Sequence, residues 1–375
     1  MRSTGHYEQI GNIQYFVPDS LPPQNPPFVM DVATTILYGE VMKHLGTLNE
    51  IASRLPDKQR FIRAYVIKEA LLSSAIEGIH TTLLDVFTQP LVASKPNKNT
   101  QLVMNYTKAL ERARAILQHE NVPISSRIIL EAHDLLMSVG EGDTADPGNY
   151  RKQSVRVGDL VPAPAPRVSD LIAHLERFIN TDQTLPPLIK AGLAHVQFET
   201  IHPFLDGNGR IGRLLIVLML IDSGLLSEPI LYPSYYFKKH AAEYYQRLDS
   251  VRRQGDFEGW ITFYLTVIRD SASDACKRAY EIEALEDDLA QRIKKQTLQH
   301  RACQTRLRAL TVLFHCPVIN VSELSREATM SFNTANQIIA EFVEQGILVE
   351  ETQQKRMRLF KFKSYLELLE REMLV

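Results

Sequence analysis

From about Met30 to Ile293, apolar residues recur at three- and four-residue spacing, with only short Pro, Gly and Asp interruptions. That period places apolar side chains along one face of a helix, so most of the 375-residue chain is committed to a mainly α architecture. One segment departs from it. In Arg151 to Pro162, Val155, Val157 and Val161 flank a Gly158-Asp159 turn, which predicts a short β-hairpin. The length fits two or three domains with a sizeable core. With 45% apolar and 23% charged residues the composition is that of a soluble globular protein. A net charge of -2 gives no whole-chain reason to expect nucleic-acid or acidic-membrane binding. The three cysteines (Cys276, Cys303, Cys316) have neither metal-site spacing nor a disulfide framework, which fits a reducing cytoplasm. The first residues lack the apolar segment of a signal peptide. The longest apolar run, Leu214 to Ile221, is too short to span a bilayer, so no membrane association is expected.

Two flanking regions differ from the helical middle. Residues 1 to about 30 carry Pro18, Pro22, Pro23, Pro26 and Pro27, and are expected to form an extended arm over the body. The charged stretch from Glu281 to Gln299 has helical spacing and is expected to be a connecting helix. After Arg301, amphipathic patterns predict helices at Arg306–Phe314, Val321–Ala328 and Asn333–Gln345, the last ended by Gly346. Short β-like runs follow around Leu348 and Leu359. Three helices and a two-stranded wing predict a winged helix-turn-helix.

The chemistry concentrates in His202-Pro203-Phe204-Leu205-Asp206-Gly207-Asn208-Gly209-Arg210-Ile211-Gly212-Arg213, which runs into the apolar helix Leu214–Ile221. Gly207, Asn208 and Gly209 tolerate positive φ, so successive N–H groups can converge on an anion. The following helix adds its positive end and its unpaired N–H donors. Arg210 and Arg213 lie three apart on its first turn, where contact to phosphate oxygens is feasible. Two arginines opening a helix are unfavourable with its dipole unless an anion is present. Asp206 could hold Mg²⁺ through one carboxylate, with the other positions left to phosphates and water. His202 has a pKa range suited to taking a proton from a hydroxyl. Taken singly, a His before Pro or a Gly-Asn-Gly is usually only a turn. Taken together, the residues describe an anion-binding helix N-terminus equipped for phosphoryl or nucleotidyl transfer.

The same twelve residues match in full the signature HxFx(D/E)GNGRxxR of the Fic family, and the resemblance extends over roughly Met30 to Arg278. It implies a Fic-type helical core with a short β-hairpin flap and a protein adenylyltransferase that moves AMP from ATP, with Mg²⁺, onto a Ser, Thr or Tyr hydroxyl. His202 would be the general base and Asp206 the Mg²⁺ ligand. Gly207, Asn208 and Gly209 would form the anion hole, Arg210 would hold phosphate and Phe204 would be a core anchor. The hairpin with Val155, Val157 and Val161 resembles the flap that pairs with the target's backbone as an added strand.

Upstream, Ser73-Ser74-Ala75-Ile76-Glu77-Gly78 resembles the inhibitory motif (S/T)xxxE(G/N), with Ser73, Glu77 and Gly78 matching. Ser73 and Glu77 share one helix face, and Gly78 suits a C-cap. The resemblance names Arg213 as the partner of Glu77, an ion pair that would keep the arginine from the γ-phosphate. Taken as a pattern alone, SxxxEG also fits a solvated Glu. The family places adenosine contacts near Tyr235 and His240, although it commonly has Asn where this chain has His240. The expected organisation is therefore 1–100 as arm and inhibitory-helix region, 101–280 as Fic catalytic core, 281–300 as connecting helix and 301–375 as winged helix. The winged helix could dock DNA or protein. Its third helix starts with small polar residues, but its positive charge is local, at Lys355, Arg356, Arg358, Lys361 and Lys363. The expected partners are a protein substrate, the chain itself as a target, and a second copy in a homodimer. A different class of function stays open: a DNA-binding regulator whose Fic core senses ATP, modifies only itself or removes AMP.

Overall fold

A computed structural model of the chain describes residues 2–54, 58–92, 94–138, 146–352 and 358–371. The mainly α expectation holds. Helices α1 (Val32–Arg54), α2 (Lys58–Ile76), α3 (Leu83–Thr88), α4 (Lys98–His119) and α5 (Ser126–Met137) precede the irregular segment around residues 150–165. Then come α6 (Val168–Thr181), α7 (Pro187–Ile201), α8 (Asn208–Asp222), α9 (Ser234–Lys239), α10 (Ala241–Gln254) and α11 (Phe257–Gln296). The apolar run read from the sequence is the body of α8, where every residue from Ile211 to Ile221 is buried. A helix apolar on all sides can only be a central one. α7 packs against it along its length and is almost as fully buried. α1 lies along α11, α4 along α5, and α2 packs against α4 and α9. Local signals set the ends: Thr82 and Asp85 form a reciprocal capping box on α3, while Asn97 and Asp256 cap α4 and α11.

The N-terminal arm is more structured than expected. β1 (Gly5–Ile10) and β2 (Ile13–Pro18) pair antiparallel in a hairpin turned at Gly11. All five prolines fall at or beyond the end of β2, so they left the pairing intact. Arg2 anchors the arm to α11 through a 2.8 Å ion pair with Glu258.

The predicted 155–161 hairpin is reduced to one turn. Val157 and Leu160 exchange backbone hydrogen bonds of 2.9 Å around Gly158, whose φ is +57°. Val155 and Val161 do not pair with each other. The Val161 carbonyl instead accepts the Phe16 N–H at 2.9 Å, so β2 occupies that edge. Pro162 and Pro164, having no N–H, cannot extend a ladder there.

The stretch expected as a separate connecting helix is the last part of the 40-residue α11. Beyond it lie α12 (His300–His315), β3 (Val318–Ile319), α13 (Val321–Glu327), α14 (Phe332–Glu344), β4 (Val349–Glu350), β5 (Phe360–Lys361) and α15 (Lys363–Glu370). The sheet order is β3-β5-β4, all antiparallel. Lys355 and Arg356 lie outside the described residues. No helix among those described is long and apolar enough to cross a membrane.

Candidate active site

The turn between α7 and α8 gathers the predicted residues. His202 caps α7 in the left-handed region (φ 49°, ψ 64°), which an ordinary L-residue adopts at a cost of about 1–3 kcal/mol unless neighbours hold it there. Its carbonyl accepts from Arg151 Nε at 2.8 Å. Phe204 is fully buried and stacks on the His133 imidazole, centroids 3.7 Å apart and planes within 5°. Of the three loop residues expected at positive φ, only Gly207 (φ +77°) has it. A Cβ there would come within 3.1 Å of Met137 Sδ. Asn208 and Gly209 already belong to α8, and the buried Asn208 side chain closes the loop. Its Oδ1 accepts the Phe204 N–H at 2.8 Å and its Nδ2 donates to the Phe204 carbonyl at 2.9 Å. The first N–H of α8 to reach an i−4 carbonyl is that of Ile211, to Gly207 O at 3.0 Å. The preceding N–H groups are those a helix leaves for an anion.

Arg210 and Arg213 are both about 1% exposed, and both are held by one carboxylate. Glu77 Oε2 accepts from Arg210 Nε at 2.6 Å, and Oε1 from Arg213 Nη2 at 2.8 Å. Ser73 completes the grip, its hydroxyl accepting from Arg213 Nε and its carbonyl from Nη2, both at 2.9 Å. The partnership of Glu77 with Arg213 is the one the resemblance implied; that with Arg210 was not foreseen. α2 ends at Ile76, and Gly78 (φ +78°) turns the chain so that Glu77 reaches across. Gly209 leaves room for this: a Cβ would meet Glu77 Oε1 at 2.6 Å. Burial works against the Arg213 charge, but Glu77, Tyr244 and Glu199 together raise its pKa above the ordinary arginine value.

Asp206 is more than half exposed at its side chain. One carboxylate oxygen accepts the Gly207 N–H at 2.6 Å, and the other lies 3.6 Å from Arg210 Nη2. No cluster of three metal-ligating side chains exists among the described residues. A single exposed carboxylate is nonetheless what Mg²⁺ requires when phosphates and water supply its other positions.

Buried titratable groups surround this turn. Burial pushes the His202 pKa down to about 4, opposed by the Glu199 carbonyl and assisted by the Arg151 charge. His133 is likewise pushed down to about 4 by burial. Its tautomer follows from its partners: Nε2 donates to the Asp206 carbonyl at 3.1 Å and Nδ1 accepts the Gly148 N–H at 3.0 Å. His195, bonded to Tyr244 at 2.8 Å, falls to about 3 by burial. Burial raises Glu199 to about 7, with the Arg213 charge opposing. It raises Glu69 to about 7 as well, despite hydrogen bonds from the Ser234 hydroxyl and N–H.

A cleft of about 430 Å³ opens beside the turn, between the Val157–Leu160 segment and α10, and Glu199, Thr200 and Tyr245 are among the residues that line it. Tyr235 is buried, with the ammonium groups of Lys68 and Lys239 over its ring. His240 is exposed and lines a different cleft, with Tyr236, Glu243 and Arg247. Arg151, His133 and Glu199 were not anticipated. Glu199, three residues before His202, was within reach of motif reading; the other two lie far from the motif in sequence.

Residues 123–220 match the Fic/DOC family, and residues 37–115 match the Fic/DOC family N-terminal region. Over 146 residues the chain is 33% identical to the protein adenylyltransferase Fic of Drosophila erecta, covering 38% of this chain and 28% of that protein. The Aedes aegypti protein of the same name is 32% identical over 164 residues, 43% of this chain and 31% of its own length. The chain thus spans less than a third of the length of these relatives. A Fic family protein from Desulfovibrio desulfuricans shares the fold with a TM-score of 0.56 at 23% identity, over 90% of this chain and 98% of that one. Fic-1 from C. elegans gives 0.53 at 22% identity, over 68% and 75%. With its twelve-residue signature folded as an α7–α8 turn, the chain carries both segments of the Fic/DOC family in order.

Proposed function

We propose that this chain is a protein adenylyltransferase, transferring AMP from ATP to a hydroxyl of a protein, and that Glu77 holds it in check. The observation that carries the reading is the α8 N-terminus: two buried arginines face the turn before it, and one carboxylate from just beyond the end of α2 pairs with both. A buried guanidinium is costly unless its charge and donors are compensated, and Glu77 sits where a nucleotide's phosphates would do so.

In the transfer, the acceptor oxygen attacks the α-phosphorus and the bond to the leaving pyrophosphate breaks. His202 is neutral at pH 7 and takes the hydroxyl proton. The N–H groups at the start of α8 and Arg210 bind phosphate oxygens, and Arg213, once released, binds the γ-phosphate. Asp206 would hold Mg²⁺, which when bound neutralises phosphate charge. The cleft between the Val157–Leu160 turn and Thr200 admits the acceptor segment, and Val155, Val157 and Val161 belong to the segment that would dock it. Tyr235 and His240 are assigned to the nucleoside end by resemblance. The organisation 1–100, 101–280, 281–300 and 301–375 is kept as the functional division, with the reducing cytoplasm as its setting. The test is transfer of label from α-labelled ATP with Mg²⁺ in wild type, Glu77→Gly and His202→Ala. Labelling that is strong only in Glu77→Gly supports donor, brake and base together. Labelled protein losing AMP when mixed with this chain would point to the reverse reaction.

For residues 301–375 we propose a winged helix that docks protein rather than DNA. Of the five basic residues expected to face a phosphate backbone, the three that are described are already paired: Arg358 with Glu350, Lys361 with Glu351 at 2.5 Å and Lys363 with Glu367 at 3.7 Å. Pairing of this kind leaves little positive field for phosphates. Salt-sensitive binding of duplex DNA by the whole chain would reverse this reading.

A further inference from the structure

The Arg151 side chain is about 2% exposed, and every hydrogen-bond partner it has among the described residues is a backbone carbonyl. Nε donates to His202 O at 2.8 Å, and Nη2 donates to Ile201 O at 3.3 Å and to Ala163 O at 2.6 Å. Nη1 donates to Gln153 O at 3.2 Å, and the backbone N–H of Arg151 donates to Pro203 O at 2.9 Å. A buried guanidinium without a carboxylate is costly, and burial pushes its pKa down to about 10. The placement of the carbonyls explains what that cost secures. Ile201 and His202 are the last carbonyls of α7, where a cation also meets the negative end of the helix dipole. Gln153 and Ala163 stand on either side of the 155–161 segment. The planar fork of one arginine therefore spans both ends of the flap and the backbone of the base, a geometry an ammonium cannot reproduce.

We propose that Arg151 is a positioning residue that locks the flap and His202 into one rigid unit, so that an acceptor docked on the flap is presented to the imidazole in fixed register. This rests on the adenylyltransferase reading above. His202 carries positive φ as a non-glycine residue, and its carbonyl direction is the one Arg151 stabilises. Loss of the clamp frees both sides at once, while the arginines and N–H groups at the start of α8 keep their places. Rate then falls through misplacement of base against acceptor, and nucleotide affinity does not.

The test compares Arg151→Gln and Arg151→Lys in a Glu77→Gly background. Arg151→Gln should lower the rate of AMP transfer about 100-fold, the scale of an ångström-sized misplacement, with ATP affinity within about threefold of the parent. Arg151→Lys should lie between them. Hydrogen exchange should show the amides of residues 153–161 and those of Ile201 and His202 loosening together in both variants. Weakened ATP binding matching the loss of rate, loosening of only one of the two segments, or a fully active Arg151→Lys would each overturn the proposal. If Arg151→Gln does not fold, the Arg151→Lys rate and exchange still decide. A Glu77→Gly parent without labelling would count against the transfer reading, whereas the exchange result would still report on the clamp.

Discussion

Glu77 and Arg213 meet at 2.8 Å across the interface of α2 and α8, and the other oxygen of the same carboxylate holds Arg210. One carboxylate therefore ties up both arginines at the start of α8. Its removal has two opposed effects. Without nucleotide, two buried guanidinium groups lose their carboxylate, which should destabilise the fold by up to about 3–5 kcal/mol. With ATP, the phosphates restore the missing charge and the arginines are free to position it. Glu77→Gly should therefore melt below wild type when empty, be raised more by ATP-Mg²⁺ than wild type is, and transfer AMP about ten- to a hundredfold faster, the worth of one or two charge-assisted hydrogen bonds. Thermal melts with and without nucleotide check the first part and labelling the second. A variant as stable as wild type when empty would mean the ion pairs contribute nothing.

Much of this site was legible in the sequence because its chemistry is local. Residues 202–213 lie on one turn and one helix start, so spacing alone juxtaposes His202, Asp206 and the two arginines. The apolar run after them required a central helix, and α8 is that helix. What stayed hidden depends on contacts between distant segments. Nothing in Arg151 or His133 as letters says that one grips the His202 carbonyl and the other stacks on Phe204. Asn208 matched the signature, but its part in closing the loop through Phe204 appears only in three dimensions. The β1–β2 hairpin was obscured because proline content pointed to an extended arm, while the prolines lie at or past its last residue.

His202→Ala should lower transfer about 10²–10⁴-fold, the usual contribution of a general base, and leave ATP affinity intact. The His202 side chain forms none of the hydrogen bonds that close the turn, so the fold should survive. Because burial holds the imidazole near 4, the acid limb of the rate profile in a Glu77→Gly background should fall well below the ordinary histidine range. A limb centred near 6.5 would show that nucleotide or acceptor binding rehydrates the ring.

Asp206→Asn should abolish Mg²⁺-dependent transfer with little change in melting temperature, since the side chain is largely exposed and its contacts are Gly207 N–H and Arg210. An amide can still accept the Gly207 hydrogen bond, so only the charge is lost. Chelation of Mg²⁺ should reduce wild type and Glu77→Gly to the same level. Transfer that persists in Asp206→Asn at saturating Mg²⁺ would remove Asp206 from the metal site.

Stability against pH should show two regimes, set by five buried groups. His133, His195 and His202 are held at about 4, 3 and 4 against an ordinary 6.5, while Glu69 and Glu199 are held at about 7 against 4.5. As pH falls from 6.5 to 4.5, the unfolded chain binds three imidazole protons that the folded chain refuses, which costs stability. Over the same window the folded chain binds two carboxyl protons that the unfolded chain lacks, which adds stability. The net difference from these groups is one proton, a shallow loss of about 1.4 kcal/mol per pH unit. Below 4.5 the unfolded carboxyls are protonated too and their opposition ends, while the imidazoles continue to destabilise down to about pH 3. Unfolding by urea, followed from pH 7 to 3, should therefore show a gentle slope that steepens below 4.5. Glu199→Gln removes one opposing proton and should double the slope between 6.5 and 4.5. An unchanged slope in that variant would place the Glu199 carboxyl in its ordinary range, and with it the electrostatic picture of the ground beneath Arg213.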